Sequence, residues 1–438
     1  MNIVSNVICV EQTAAFARNR VKRPLSYGLG GAMEVLISSI GSRGDVQPVI
    51  SVALELRARG HNARLCVPPD FKERVESFGL TCVPIGPDLR LVTVGQALRS
   101  PSKPPAKRLR ELAAQAVRSQ FPVITAAAQG CDLIVAAGAL QFATHSVAES
   151  LKIPYVFVAY CPAVLPSLSY PPVKMGVHYS QSLRADANRS LWIEEEEGWN
   201  GRFRETLNEE RAKLALDPVT SVQGHIFTER PWLASDPTLA PAGSASQLQI
   251  AQTGAWLLRD QRSLPEHVEH FISSGEPPVY FGFGSMRGFE ANSQALIEAA
   301  RALGLRSIIS RGWGSLGTID GGSDCLAIDD LSHQMLFPRV AAVVHHGGAG
   351  TTTAAAIAGK PQVIVPHLYD QYFWAHRVQA LHIGVAGPTR ENLATDAMIE
   401  ALREVTGPAI VSQAQTLANC IELHGARMAA DRLIDEFE

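Results

Sequence analysis

The sequence lacks an excess of charge of either sign. Its 438 residues carry 39 Lys and Arg against 42 Asp and Glu, a formal net charge of -3. A dedicated nucleic-acid binder usually carries a basic excess, so no nucleic-acid partner is expected. Long hydrophobic runs are missing too. None approaches the ~18 apolar residues of a membrane span, which argues against integral membrane association. The seven cysteines (Cys9, Cys66, Cys82, Cys131, Cys161, Cys325 and Cys420) are odd in number and widely spaced, with no C-x-x-C. That argues against a zinc knuckle or a disulfide framework and suggests reduced, mostly buried thiols in a cytoplasmic protein. No D-x-D pair occurs, Asp329-Asp330 being adjacent rather than spaced. A dedicated metal–diphosphate site is therefore not expected.

What is present is a large apolar fraction. The chain is 46% hydrophobic and 18% charged, too apolar and too weakly charged for disorder. At ~150 residues per domain, its length predicts two or three domains. Residues 1–32 hold Arg18, Arg20, Lys22 and Arg23 without a signal-peptide core, and read as a flexible extension. From Met33 a buried strand is expected, then the turn Gly41-Ser42-Arg43-Gly44-Asp45, a helix that tolerates Pro48 in its first turn, and a second strand over 61–67. Strand, Gly-rich turn, helix and strand together predict a parallel sheet with crossover helices. Leu133–Ala136 and Tyr155–Ala159 are further strands. Residues 162–200, broken by Pro162, Pro166, Pro171 and Pro172, read as a long functional loop with some helix. Within it the run Glu194–Glu197 reads as a solvated helix face.

A second α/β pattern begins near residue 278. Strands are expected at Pro278–Gly282, Ser307–Ser310, Cys325–Ile328, Val340–His345 and Gln362–Pro366. The architecture expected is two Rossmann-like parallel-sheet domains facing across a cleft: an N-terminal domain over 33–230, a linker over 231–260, a C-terminal domain over 261–415, and a helical segment over 416–438 that packs back on the first. Ligands of such sheets gather at the carboxyl ends of the strands.

Several constellations fall at those ends. In His345-His346-Gly347-Gly348-Ala349-Gly350-Thr351-Thr352, glycines at a strand-to-helix turn let backbone N–H groups approach an anion, and the helix N-terminus adds partial positive charge. His345 could donate to a phosphate oxygen. No Lys-Ser/Thr follows these glycines, so this is not a P-loop. Gly282-Phe283-Gly284-Ser285 lies at the same edge. Asp370-Gln371 pairs a carboxylate with a carboxamide, which can accept from one sugar hydroxyl and donate to another. Asp45 has two readings, a helix cap and a general base that takes a proton from an acceptor hydroxyl.

Together these residues resemble the family-1 glycosyltransferases of the GT-B fold, and more closely the bacterial glycopeptide-antibiotic enzymes of the vancomycin group. The resemblance runs from Met33 to the C-terminus. It also rests on Ile153-Pro154-Tyr155, Cys161-Pro162, Tyr170-Pro171-Pro172, Arg230–Pro237, Gln252–Trp256, Ser310–Trp313, His333–Phe337 and Arg339–Thr352. It implies an inverting, metal-independent transfer from a nucleotide-activated sugar to a hydroxyl, with Asp45 as base. Ser42, Arg43, Ser285, His345, Gly347, Gly348 and Thr351 match the diphosphate positions. Trp313, Leu331 and Gln334 match the nucleoside positions, and Asp370 and Gln371 the sugar pair. Tyr372, where relatives often carry Pro, and Tyr160, where they often carry His, depart from the pattern. No cofactor is implied beyond the co-substrate, UDP-glucose or a dTDP-sugar. The acceptor expected is a bulky aromatic, polyketide or peptide natural product, covered by Leu165, Leu168, Tyr170, Met175, Val177 and Tyr179 of the 162–200 segment. A monomer or weak dimer is expected. Two alternatives stay open, a dTDP-deoxysugar transferase and a non-transferring nucleotide-sugar binder or epimerase.

Overall fold

The computed structural model describes residues 31–438 except 89–105, 176, 182, 245–246, 287–288, 290–291, 314–315 and 318–320. The expected extension over 1–32 lies, but for its last two residues, outside the described residues. Ala32–Glu438 forms one compact unit built on two sheets. The first contains β1 (Glu34–Ser39), β2 (Asn62–Val67), β3 (Thr81–Pro84), β4 (Leu133–Ala137), β5 (Tyr155–Ala159), β6 (Trp232–Leu233) and β7 (Ala251–Gln252). The second contains β8 (Val279–Gly282), β9 (Ser307–Ser310), β10 (Cys325–Ile328), β11 (Ala342–His345), β12 (Gln362–Ile364) and β13 (Gly384–Ala386).

The strand orders are β3-β2-β1-β4-β5-β6-β7 and β10-β9-β8-β11-β12-β13. Every pairing in both sheets is parallel. Parallel sheets are covered on both faces, so their central strands are apolar throughout. Val35, Leu36 and Ile37 of β1 and all of β4 are fully buried accordingly. In each sheet the chain winds outward one way, then returns and winds the other. The reversal lies between β1 and β4 in the first half and between β8 and β11 in the second. Ligands bind at such switch points.

Five helices position the site: α1 (Arg43–Ala58), α2 (Ala185–Lys213), α3 (Ala349–Ile357), α4 (Gln371–Ala380) and α5 (Gly425–Phe437). The segment expected as a loop over 162–200 is therefore helical from Ala185 onward. Trp192, Trp199, Phe203 and Leu207 recur at helical spacing on α2, and the Phe203 ring packs at a tilt 4.6 Å from Phe142. Leu165, expected to face an acceptor, is fully buried, while Met175 and Val177 are exposed. Glu195, in the run expected to be solvated, is only 6% exposed. It accepts from Trp199 Nε1 at 2.8 Å and pairs with Lys174 at 3.3 Å.

The stretch expected as a linker differs as well, since β6 and β7 extend the first sheet. Leu264 and Val268 already belong to a core of the second half, so the first passage between halves falls at 253–263. The second passage follows Leu417, and Ala426, Ala429 and Leu433 of α5 then join the core beside Val46 and Ala53 of α1. The two passages touch. Gly254 has φ +77°, and a Cβ there would lie 3.1 Å from Gly425 Cα. Beneath the switch points, Cys161, Ala163, Leu239 and Ala240 of the first half pack with Ile364, Phe373 and Trp374 of the second.

Candidate functional site

Asp45 stands at the first switch point, one turn into α1. Ser42 caps the helix. Its N–H donates to Asp45 Oδ2 at 2.7 Å, and its Oγ accepts from Gly44 N–H at 3.3 Å, closing a capping box. The cap reading of Asp45 is thus present in the structure. It does not exhaust the residue. Tyr160 Oη and Ser39 Oγ donate to the Asp45 carbonyl at 2.9 and 3.0 Å, fixing the turn from two sides. Gly138, just after β4, passes so close that a Cβ there would lie 3.5 Å from Asp45 Oδ1. Burial pushes the carboxyl up from 3.8 to about 6, against the lowering effect of the Ser42 hydrogen bonds. It remains ionised at neutral pH yet retains basicity, as a general base must.

The second switch point brings together the turns after β8 and β11. A Cβ on Gly284 would lie 3.3 Å from His346 Cε1. Gly348 is the N-cap of α3, and Thr351 lies in its first turn, part-exposed. Gly347 has φ +91°, and a Cβ there would lie 2.7 Å from Ile364 Cγ2 and 3.1 Å from the Gln371 carbonyl. Only glycine lets this turn pack so closely on the Asp370-Gln371 turn.

His345 corrects the sequence reading. It is fully buried. Its Nδ1 accepts from Gly347 N–H at 3.1 Å and its Nε2 lies 2.9 Å from Gln362 Oε1. Both nitrogens are engaged within the fold, so the ring shapes the turn and has no donor left for a phosphate. His346 fits that role instead. It is part-exposed between the two glycine turns, and its Nδ1 has no partner. Burial holds its imidazole neutral, down at about 3, so one ring nitrogen keeps a proton to donate.

Asp370 is the N-cap of α4, and Trp374 Nε1 donates to its Oδ2 at 3.0 Å. Burial, helped by the charge of Asp45, raises it to about 7. The charges of the two switch-point carboxylates thus act on one another across the halves. Gln371 is buried, with Oε1 accepting from His367 and Leu368 N–H at 2.8 and 3.0 Å. Only its NH2, 3.6 Å from Met286 Sδ, remains for a ligand. The Arg43 guanidinium reaches across to Asp330, and Ser285 is part-exposed on the β8 turn.

The nucleoside positions are more dispersed. The Trp313 N–H donates to the Gly284 carbonyl at 2.9 Å, and the side chain packs on the apolar core of the first half. Leu331 lies against the core of the second half. Both ends of the Gln334 amide hold the first passage, Nε2 donating to the Leu258 carbonyl at 3.0 Å and Oε1 accepting from Asp260 N–H at 3.1 Å. Among the described residues, no three His, Cys, Asp or Glu side chains gather as a metal centre would require, and no helix is long and apolar enough to cross a membrane.

Comparison with known proteins decides the family. The chain is 41% identical over 407 residues to glycosyltransferase GtfE of Amycolatopsis orientalis, covering 92% of this chain and 97% of that protein. It is 40% identical over 409 residues to the vancomycin aglycone glucosyltransferase of the same organism, with the same coverage. The chain belongs to the glycopeptide-antibiotic glycosyltransferases. Residues 35–167 match the glycosyltransferase family 28 N-terminal domain, and residues 324–423 match the C-terminal domain of erythromycin biosynthesis protein CIII-like proteins. A third relative, the dTDP-epi-vancosaminyltransferase of A. orientalis, is 38% identical over 395 residues, covering 88% of this chain and 93% of its own. The GT-B fold recurs in the solved glycotransferase of kitacinnamycin (TM-score 0.69, 17% identity, 93% and 99% of the chains) and in VinC (TM-score 0.66, 18% identity, 92% and 99%).

Proposed function

We propose that this glycosyltransferase is an inverting, metal-independent O-glycosyltransferase. It moves a sugar from a nucleotide donor to a hydroxyl of a bulky aromatic, peptide or polyketide natural product. The observation that carries the reading is the confrontation of Asp45, at one switch point, with Asp370 and the His346–Gly348 turn at the other. Ionised Asp45 takes the acceptor's proton as its oxygen attacks the anomeric carbon. The nucleoside diphosphate leaves from the opposite face, which inverts the configuration. Its growing charge is met by the N-terminus of α3, the His346 N–H and Ser285. No cation or other cofactor is required for this charge balance. Asp370, poised near neutrality, accepts from or donates to a hydroxyl of the sugar.

The donor we favour is UDP-glucose. The name of the vancomycin aglycone relative, a glucosyltransferase, supports glucose as the sugar. A dTDP-deoxysugar is the second reading. It is favoured by the dTDP-epi-vancosaminyltransferase relative and by the engagement of the Gln371 carbonyl within its own turn, which leaves fewer partners for a fully hydroxylated ring. VinC was solved with dTDP. The test is incubation with UDP-glucose and dTDP-sugars against phenolic and glycopeptide-aglycone acceptors, followed by assignment of the product's anomeric configuration. A β-glycoside from an α-linked donor is expected. Free isomerised sugar without glycoside, or a retained configuration, would overturn the proposal.

A further inference from the structure

Tyr369 immediately precedes the sugar pair and has no role in the chemistry described above. Its backbone lies in the left-handed region at φ 55°, which a side chain with a Cβ disfavours. The surrounding turn imposes that conformation. The Gln371 side chain accepts the N–H groups of His367 and Leu368, and Gln371 N–H returns to the Leu368 carbonyl at 3.3 Å. Left-handed tyrosine is therefore held in place by a closed ring of hydrogen bonds. Gln371 in turn is fixed by its close packing on Gly347.

The turn opens onto α4, which packs against the first half. The neighbouring segment of that half, Cys161 and Ala163, packs on Phe373 and Trp374 of α4, and Tyr170 meets Phe373 edge-on at 5.1 Å. Beside this contact His178 stacks on Tyr372 at 4.1 Å. Tyr369 is part-buried at the junction, where the charges of Asp370, Cys161, Asp45 and Glu195 all act on its phenol. Among the described residues its hydroxyl makes no hydrogen bond to the protein. A strained residue with an unused polar group, next to Asp370 on a turn that adjoins the packing between the halves, is placed for a ligand rather than for the fold.

We propose that the Tyr369 hydroxyl is a specificity-determining contact to one hydroxyl of the transferred sugar, holding the ring between Asp370 and Asp45. This rests on the proposed transfer reaction. The sugar hangs from a diphosphate at the His346–Gly348 turn, which abuts the 369–371 turn, so the residue preceding Asp370 lies along the ring on its way to the acceptor.

The experiment compares wild type, Tyr369→Phe and Tyr369→Gly. Steady-state kinetics use UDP-glucose or dTDP-glucose, whichever wild type turns over, and each monodeoxy analogue of that donor. Loss of one neutral hydrogen bond lowers kcat/KM for the parent donor about 3- to 10-fold in the Phe variant. With one monodeoxy analogue, wild type and Phe variant become equal. Affinity for the free nucleoside diphosphate and KM for the acceptor stay unchanged. Tyr369→Gly loses at least as much rate as the Phe variant and shows the same dependence on the deoxy position. A Phe variant with full kcat/KM, an equal loss across all analogues, or a change confined to acceptor KM would each overturn the inference. If wild type transfers no sugar, the reaction itself fails and the inference with it.

Discussion

Replacing Asp45 with Asn separates its two roles, because the two roles predict opposite stabilities. Burial lifts the folded-state carboxyl from 3.8 to about 6. A shift of about two units corresponds to about 3 kcal/mol. The raised value means that the folded chain holds the proton more tightly than the unfolded chain. This contribution favours folding at low pH, falls as pH rises between about 4 and about 6, and is absent above that range. Relative to a neutral side chain, the charged Asp45 at about pH 7.5 therefore disfavours folding by that amount. Asn removes the charge and keeps an oxygen for the Ser42 N–H, but its NH2 stands where the carboxyl had an oxygen, which gives back about 1 kcal/mol of that gain. The variant should match or exceed wild-type stability by about 1–2 kcal/mol at pH 7.5, and should lose that advantage near pH 4. Its turnover should fall about 10²- to 10⁴-fold with UDP affinity unchanged. Wild-type kcat/KM should rise with pH through about 6. Thermal unfolding at the two pH values and single-turnover glycosylation provide the readouts. A variant that is destabilised at pH 7.5 and still transfers sugar at most of the wild-type rate would show that Asp45 only caps α1.

Two further predictions concern the anion turn. His346→Ala should raise the Kd for nucleoside diphosphate about 10-fold or more, the loss of a hydrogen bond to a charged group, with little change in Tm. His345→Ala should do the reverse, losing about 2–3 kcal/mol of stability as Gly347 and Gln362 lose their partner. Calorimetric titration with UDP and thermal unfolding distinguish them, and equal effects on both readouts would refute the inward and outward assignment. Gly347→Ala should destabilise by about 1–3 kcal/mol, since φ +91° and the contacts to Ile364 and Gln371 both reject a Cβ. Equilibrium urea unfolding measures it.

The sheets were legible in the sequence because parallel strands bury both faces and read as short apolar runs. Tyr155–Ala159, Ser307–Ser310 and Cys325–Ile328 have the ranges expected from pattern alone. The strands that escaped, β3, β6, β7 and β13, are short pieces at or next to a sheet edge. β6 and β7 have two residues each, too few for any period to register. Helix α2 was obscured by the prolines before it, although Trp199, Phe203 and Leu207 carry its spacing. The positions of the site turns were legible, since each follows a strand. The direction of their side chains was not. His345 and His346 are adjacent, of one type, and stand at the end of a strand covered on both faces, so no alternation could say which one turns inward. The engagement of Gln334 and Gln371 depends on backbone groups they meet only in the folded chain. Tyr369 gave no sign, because left-handed strain is a property of conformation and tyrosine does not advertise it.

The contact of Gly254 with Gly425 has a mechanical meaning. The two halves are joined by two strands of chain, and a body held at two separated points swings only as a door does. Here the points coincide at a joint two backbones thick. Such a joint acts as a swivel, free to twist as well as to swing. The Asp45 turn is tied to this joint, since Tyr160 donates to its carbonyl and meets Trp256 edge-on at 6.3 Å, so a rotation at the glycines would carry the second half past a turn that stays in place. The geometry of attack can thus be adjusted by moving two rigid bodies, with neither turn having to bend.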